Sequence, residues 1–260
     1  MAAEAVRLSD MAAGRCERLL PVADELVPLL TQPGLVPGAV LAAQGPGALT
    51  LATAFAAEVS RIGGWVTAVG LGRMGVSAVA ERGASLDRWA FVDEPGSAAA
   101  EVLNALVGNV DVILLAGSVR LAAAHSRRLR TRLRERGTVV IEVGVSNPAR
   151  ARGVGASNTA SAFSPDVTMT VEHAAWTGLG HGHGRLRERR AEVVAAGRGA
   201  ASLPRRAVLW LPDADGHITA VRGAITPERT DQLADLVDAA HADASHIDTD
   251  VVVPLQRRAG

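Results

Sequence analysis

The eight residues Gln44-Gly-Pro-Gly-Ala-Leu-Thr-Leu51 join a short apolar run, Ala39–Ala43, to an alanine-rich stretch ending near Ile62. A glycine-rich turn between a strand and a helix is a place for phosphates, because backbone amides and the helix dipole both favour an anion there. Holding a triphosphate takes the pattern G-x-x-x-x-G-K-[ST]. Its lysine neutralises the terminal phosphates and its hydroxyl holds Mg²⁺. Counted from Gly45 without a gap, Leu51 falls at the lysine position and Ala52 at the hydroxyl. With a shortened loop that ends at Gly47, Ala48 takes the lysine position instead. In both registers Gly45, Gly47 and Leu51 mark a degenerate phosphate loop, and no nucleotide cofactor is expected.

The other residues such chemistry needs are missing too. In the apolar run Val110-Asp-Val-Ile-Leu-Leu-Ala116, Ala116 stands where a Mg²⁺-supporting Asp would close the strand. Asp111 lies at the start of that run, the wrong end of a parallel sheet for a ligand crevice. Val69-Gly-Leu-Gly72 offers no carboxylate to activate water. The chain contains no lysine, so its 27 Lys+Arg residues are all arginine. That excludes a Schiff-base lysine and a lysine general base. No catalytic residue is assigned and ATPase activity is not expected. His181-Gly-His183 lacks a nearby third ligand, so no metal is expected. Ser118 and Ser126 have no base partner in view. Trp176, ahead of a Gly-rich run, reads as a packed side chain.

The net charge is zero, but the charges are segregated. Residues 120–152 hold nine Arg against Glu135 and Glu142, and residues 185–206 hold seven Arg against Glu188 and Glu192. Residues 224–254 hold seven acids against Arg229. Such a pattern suits binding of a polyanion, or control of that binding. Arg127, Arg128, Arg130, Arg132 and Arg134, with Arg185 and Arg187, are the candidate DNA contacts. A solvated arginine face is the other reading, and both stand here.

These residues need elements to hold them. Short apolar strands are expected at Ala39–Ala43, Trp65–Val69, Trp89–Val92, Val110–Ala116 and Thr138–Val143, with helices between them at 48–62, 75–82, 97–107 and 119–136. Apolar strands alternating with helices imply a parallel sheet covered on both faces. Val167–Val171, Arg185–Ala195, Ala207–Leu211 and His217–Val221 read as an antiparallel extension. Residues 144–165 read as a long loop, and residues 2–31 as one or two helices with Leu19, Leu20, Val22, Leu26, Leu29 and Leu30 on one stripe. An amphipathic helix is expected over 227–242. No run reaches the roughly 20 apolar residues of a membrane span, and the first residues lack a signal-peptide core. With Cys16 as the one cysteine, a reducing cytoplasm is expected.

The stretch 63–118 resembles the RecA core. Val110–Val119 runs parallel to RecA's Mg²⁺-site strand with Ala116 in place of its Asp, and Gly83-Ala-Ser-Leu-Asp-Arg-Trp-Ala-Phe-Val92 resembles a RecA helix-to-strand junction. The segments Trp176–Arg187, Gly197-Arg-Gly199 and Pro204-Arg-Arg-Ala-Val-Leu-Trp-Leu-Pro212 are similar to ImuA-type proteins of actinobacteria. The resemblance covers about 16–222. It implies an α/β RecA-like P-loop core over 38–222, whose parallel central sheet is extended by antiparallel strands. A helical segment, 1–37, precedes it and an acidic tail, 223–260, follows. It also implies a mutasome role in damage-induced translesion synthesis. The partners would be an ImuB-type Y-family polymerase-like protein and, indirectly, an error-prone C-family DNA polymerase, with DNA as a further candidate. Two rival readings are a DNA-binding recombination modulator and a division inhibitor like SulA.

Overall fold

Strands that are apolar on nearly every residue need cover on both faces. In the computed structural model, β4 (Val112–Ala116) and β5 (Val139–Val143) have all five residues buried, as does the four-residue β2 (Val66–Val69). The structure describes residues 18–144, 162–180 and 183–221. The chain divides into two compact units, Met1–Ala224 and Ile225–Gly260, and the described residues belong to the first.

The elements follow in order. β1 is Val40–Gln44, α1 Ala48–Arg61, then β2, α2 Val76–Glu81, β3 Trp89–Val92 and α3 Ala99–Leu106. β4, α4 (Ala123–Arg136) and β5 come next. β6 is Val167–Trp176, β7 Leu179–Gly180, β8 His183–Gly184, β9 Arg189–Gly197, β10 Arg205–Trp210 and β11 Thr219–Ala220. Nine strands form one sheet in the order β11-β10-β9-β6-β1-β5-β4-β2-β3, and β7 pairs with β8 separately. From β6 to β3 every pairing is parallel; β6–β9, β9–β10 and β10–β11 are antiparallel. The antiparallel extension begins at β9 rather than at β6, which lies parallel to β1 and runs longer than expected; β9 starts four residues later than expected.

Side chains that alternate along a strand feed two cores. Val112 and Leu114 enter one core with α1, and Ile113 and Leu115 enter the other with Leu103, Leu129 and Leu133 of α3 and α4. α1 is buried nearly all round. Its buried positions include Ala48, Leu51, Ala52, Thr53, Ala54, Phe55, Ala56, Ala57, Val59 and Ser60. A helix apolar all round must be an interior element, and its alanines let the sheet and its neighbours approach closely.

Two expectations are corrected. Within the described part of 1–37 there is no α-helix. Pro21 and Pro28 exclude one, since proline lacks the amide the helix needs. A short 3₁₀ turn, Asp24–Leu29, forms instead, with Pro28 inside it. Leu20 and Leu35 exchange backbone hydrogen bonds (2.9 and 2.8 Å). Val22, Leu26 and Leu29 still reach the α1-side core, with Leu20 and Leu30 partly buried against it, so most of the stripe is used without its helix. The arginine-rich helix starts at Ala123 rather than 119. Its chain reverses earlier, with Val119 N–H donating to Ala116 O (3.0 Å). It ends at Gly137, left-handed at φ 75°, whose N–H donates to Leu133 O (2.8 Å). Cys16, most of the expected loop at 144–165, and the tail with its expected helix lie outside the described residues.

Phe55 is fully buried in α1, whereas Ile62, just past its end, is 53% exposed. Phe55→Ala should cost about 3–5 kcal/mol by cavity formation. Ile62→Ala should stay within about 0.5 kcal/mol. Urea unfolding of both variants measures the contrast.

Candidate functional site

The loop after β1 is short. Gln44 ends the strand, Gly45 and Pro46 follow, and Gly47 is the N-cap of α1 with φ 99° and ψ 14°. The helix opens at Ala48, immediately after Gly47. Leu51 is one turn further along and fully buried in the core. Pro46 has no N–H, so it removes one amide from the cradle.

Both glycines are demanded by contact as well as by conformation. Gly45 has φ 89°, and a Cβ there would collide with the Val171 carbonyl oxygen. β6 shifts register against β9 between Val171 and His173, next to this crossing. A Cβ at Gly47 would collide with the guanidinium of Arg189, with Nη2 nearest.

Arg189 comes from the first residue of β9, and its cross-strand partner is Trp176, the last of β6. The pairing places the two side chains together, and the guanidinium lies 5.1 Å from the centre of the Trp176 ring. Arg189 Nε donates to Leu211 O (2.7 Å), and its backbone N–H donates to Pro212 O (2.8 Å). The side chain is 8% exposed, and Nη2 has no hydrogen-bond partner. Burial lowers its pKa, and the nearby charge of Arg82 lowers it further. Arg82, just after α2, is also lowered by burial; its Nη1 donates to Ala78 O and its Nε has no partner.

The remaining strand ends are occupied by backbone. Ala116 is buried at the end of β4, and the next N–H, of Gly117, donates to Val143 O (2.8 Å). Gly70 N–H, after β2, donates to Val92 O (2.8 Å). Asp111 sits at the opposite end of the sheet, where its Oδ2 accepts from Trp65 N–H (2.8 Å). Glu142, buried in β5, accepts from Phe163 N–H (2.8 Å). The carboxylates nearest the crevice end of β3 are Asp93 and Glu94, both exposed. Among the described residues no three His, Cys, Asp or Glu side chains converge on a metal site. His181 lies outside the described residues.

The candidate DNA contacts divide by environment. Arg127, Arg128 and Arg134 are exposed on α4. Arg130 is half-buried and ion-paired with Asp166, whose other oxygen accepts from Val40 N–H (2.9 Å). Arg132 donates to the Asn104 side chain and to Asn104 O (3.2 Å). Those two therefore tie α4 to β1 and α3. Arg185 and Arg187 are exposed between β8 and β9. Arg120, His125 and Arg128 line a groove of about 390 Å³ with Ser97, Glu101 and Asn104. No helix among the described residues is long and apolar enough to cross a membrane.

Gly63 also has a left-handed φ of 95°, but a Cβ there would meet open space. Gly63→Ala should cost about 1 kcal/mol from the backbone alone. Gly47→Ala should cost about 2 kcal/mol more, because the buried guanidinium has to move. In an Arg189→Met background that excess should vanish. Thermal or urea unfolding of the four variants reads the coupling.

The sequence profile of the MT3502 N-terminal domain family matches residues 28–149, from the N-terminal turn through β5. Uncharacterized protein Rv3395c of Mycobacterium tuberculosis is 32% identical over 115 residues, covering 42% of this chain and 56% of that protein. The match thus spans about half of that relative's length. Among solved structures, the RadB recombinase is similar with a TM-score of 0.52 at 14% identity, covering 76% of this chain and 97% of that one. The likeness shows the fold: a RecA-like α/β core with a mostly parallel central sheet.

Proposed function

We propose that the protein is a non-catalytic RecA-like accessory protein of damage-induced translesion DNA synthesis. In this reading it binds an ImuB-type Y-family polymerase-like protein and, through it, serves an error-prone C-family polymerase. The observation that carries the non-catalytic part is the start of α1. Where a nucleotide's terminal phosphates would need lysine and hydroxyl, the chain supplies Ala48 and Leu49, with the Arg189 guanidinium packed on Gly47. Phosphoryl transfer works by positioned charge and Mg²⁺, and no carboxylate closes β2 or β4. Two of the segments that carry the resemblance to ImuA-type proteins supply Trp176 and Leu211, which hold the Arg189 guanidinium against the loop, and this supports treating them as one functional unit. The full chain should co-purify with an ImuB-type partner at micromolar concentration and release no phosphate from Mg-ATP above background. Absence of a complex would sink the adaptor reading, and Mg²⁺-dependent turnover would sink the non-catalytic one.

A second reading, a DNA-binding modulator of recombination, is favoured by the exposed Arg127, Arg128 and Arg134. Phosphate contacts release counterions, so affinity falls with salt in proportion to their number. Replacing these three with Ala should lower the slope of log K against log salt by about 2 to 3 units in a gel-shift titration. Arg130→Gln should instead lower stability, through the loss of Asp166. An unchanged slope in the triple variant would remove α4 from the DNA interface.

A further inference from the structure

The end of the sheet opposite the crevice carries a groove of about 460 Å³. The N-terminal turn lines it with Leu19, Leu20 and Pro21, and the end of α1 and the start of β2 line it with Val59, Ile62 and Trp65. The side given by the turn is fixed, because Leu20 and Leu35 hold each other by two backbone hydrogen bonds. Trp65 is fixed too. Its N–H donates to Asp111 Oδ2 (2.8 Å), and the Arg88 guanidinium lies 5.4 Å from the centre of its ring. Even so, Trp65 is 42% exposed and Ile62 53%. Large apolar side chains left open around a cavity on rigid backbone mark a contact surface.

The charges around the groove are of both signs. Arg18 and Arg88 line it, and so does Asp111, while Asp87 lies 3.9 Å from Arg88. A polyanion would meet carboxylates there as well as guanidinia, so nucleic acid is a poor fit. A segment with both signs and some apolar side chains fits better. Residues 1–17, which precede the described part, are such a segment. Glu4, Asp10 and Glu17 stand against Arg7 and Arg15, with Val6, Leu8 and Met11 among them. They also join the groove directly, because Arg18, where the described chain begins, is one of its lining residues. Fully extended, they would reach on the order of 55 Å, which is ample to return along it.

We propose that residues 1–17 dock into this groove of their own chain, with Leu8 and Met11 as the apolar anchors against Trp65. The tether favours this occupant over any other. A short connection holds the segment at an effective concentration of about 1 mM, so an intrinsic Kd of about 100 μM already keeps the groove filled roughly nine-tenths of the time. A separate partner would have to match that concentration. The groove is thus a covered surface, which another molecule reaches only by displacing the segment. The contact does not rest on the mutasome reading and survives its failure.

Limited trypsin digestion of the full chain, followed by mass spectrometry, tests it. Cleavage after Arg15 reads the fraction of time the segment is open. Leu8→Ser combined with Met11→Ser should speed that cleavage about tenfold, and Trp65→Ala should do the same from the groove side. Val76→Ala, an equally exposed apolar side chain at the crevice end of the sheet, should leave it unchanged. If Trp65→Ala does not fold, tryptophan quenching by acrylamide decides. The Leu8 and Met11 double variant should be quenched more than the parent, and the difference should vanish in a Trp65→Phe background. Equal cleavage after Arg15 in the parent and the double variant would overturn the proposal. Protection that grows with protein concentration would overturn it too, by placing the segment on a second copy. A quenching difference that persists without Trp65 would place the segment elsewhere and do the same.

Discussion

Everything at the crevice depends on α1 being an interior helix. Its N-terminus can be set only where β1 delivers it, and its sides are taken up by the sheet and the N-terminal turn. With the helix immobilised, the three-residue loop has no slack. Gly45 must pass the Val171 carbonyl and Gly47 must lie flat on the Arg189 guanidinium. The left-handed conformations follow from that squeeze, since only glycine adopts them without cost.

The same squeeze explains the antiparallel end of the sheet. β6 continues the parallel set beside β1 and then outgrows it, carrying Trp176 beyond the loop. β9 returns antiparallel, so its first residue arrives opposite Trp176. The arginine is therefore placed by strand pairing, and its ring contact and its bond to Leu211 O hold it there. A guanidinium thus reaches the start of α1 from a residue some 140 positions away in sequence.

Much of this was readable from the residues. Five of the six parallel strands carry near-continuous apolar runs, and a run such as Val112–Ala116 has few other places to go than the middle of a covered sheet. The turn between the first strand and the alanine-rich helix was readable too, and the helix opens at Ala48, directly after Gly47. The misreadings have physical causes. Leucine spacing in the N-terminal stretch mimics a helix, but Pro21 and Pro28 veto it while the leucines still find the core. Arg189 could not be picked out from its neighbours Arg185, Arg187 and Arg190, because its role depends on which residue β6 places across from it. The contributions of Arg130 and Arg132 to α4 docking were hidden for the same reason: Asp166 and Asn104 are distant in sequence.

The alanines of α1 have an entropic side. Burying Ala48, Ala52, Ala54, Ala56 and Ala57 freezes no side-chain rotamers, whereas each leucine in their place would forfeit about 0.5–1 kcal/mol of torsional freedom. The core helix is thus cheap to order, but featureless on most of its circumference. Its rotation about its own axis is indexed by Leu51, Phe55 and Val59, which recur every four residues along one side. Those three side chains act as the teeth of a key: they decide which way the first amides of α1 point, and so where the whole crevice faces.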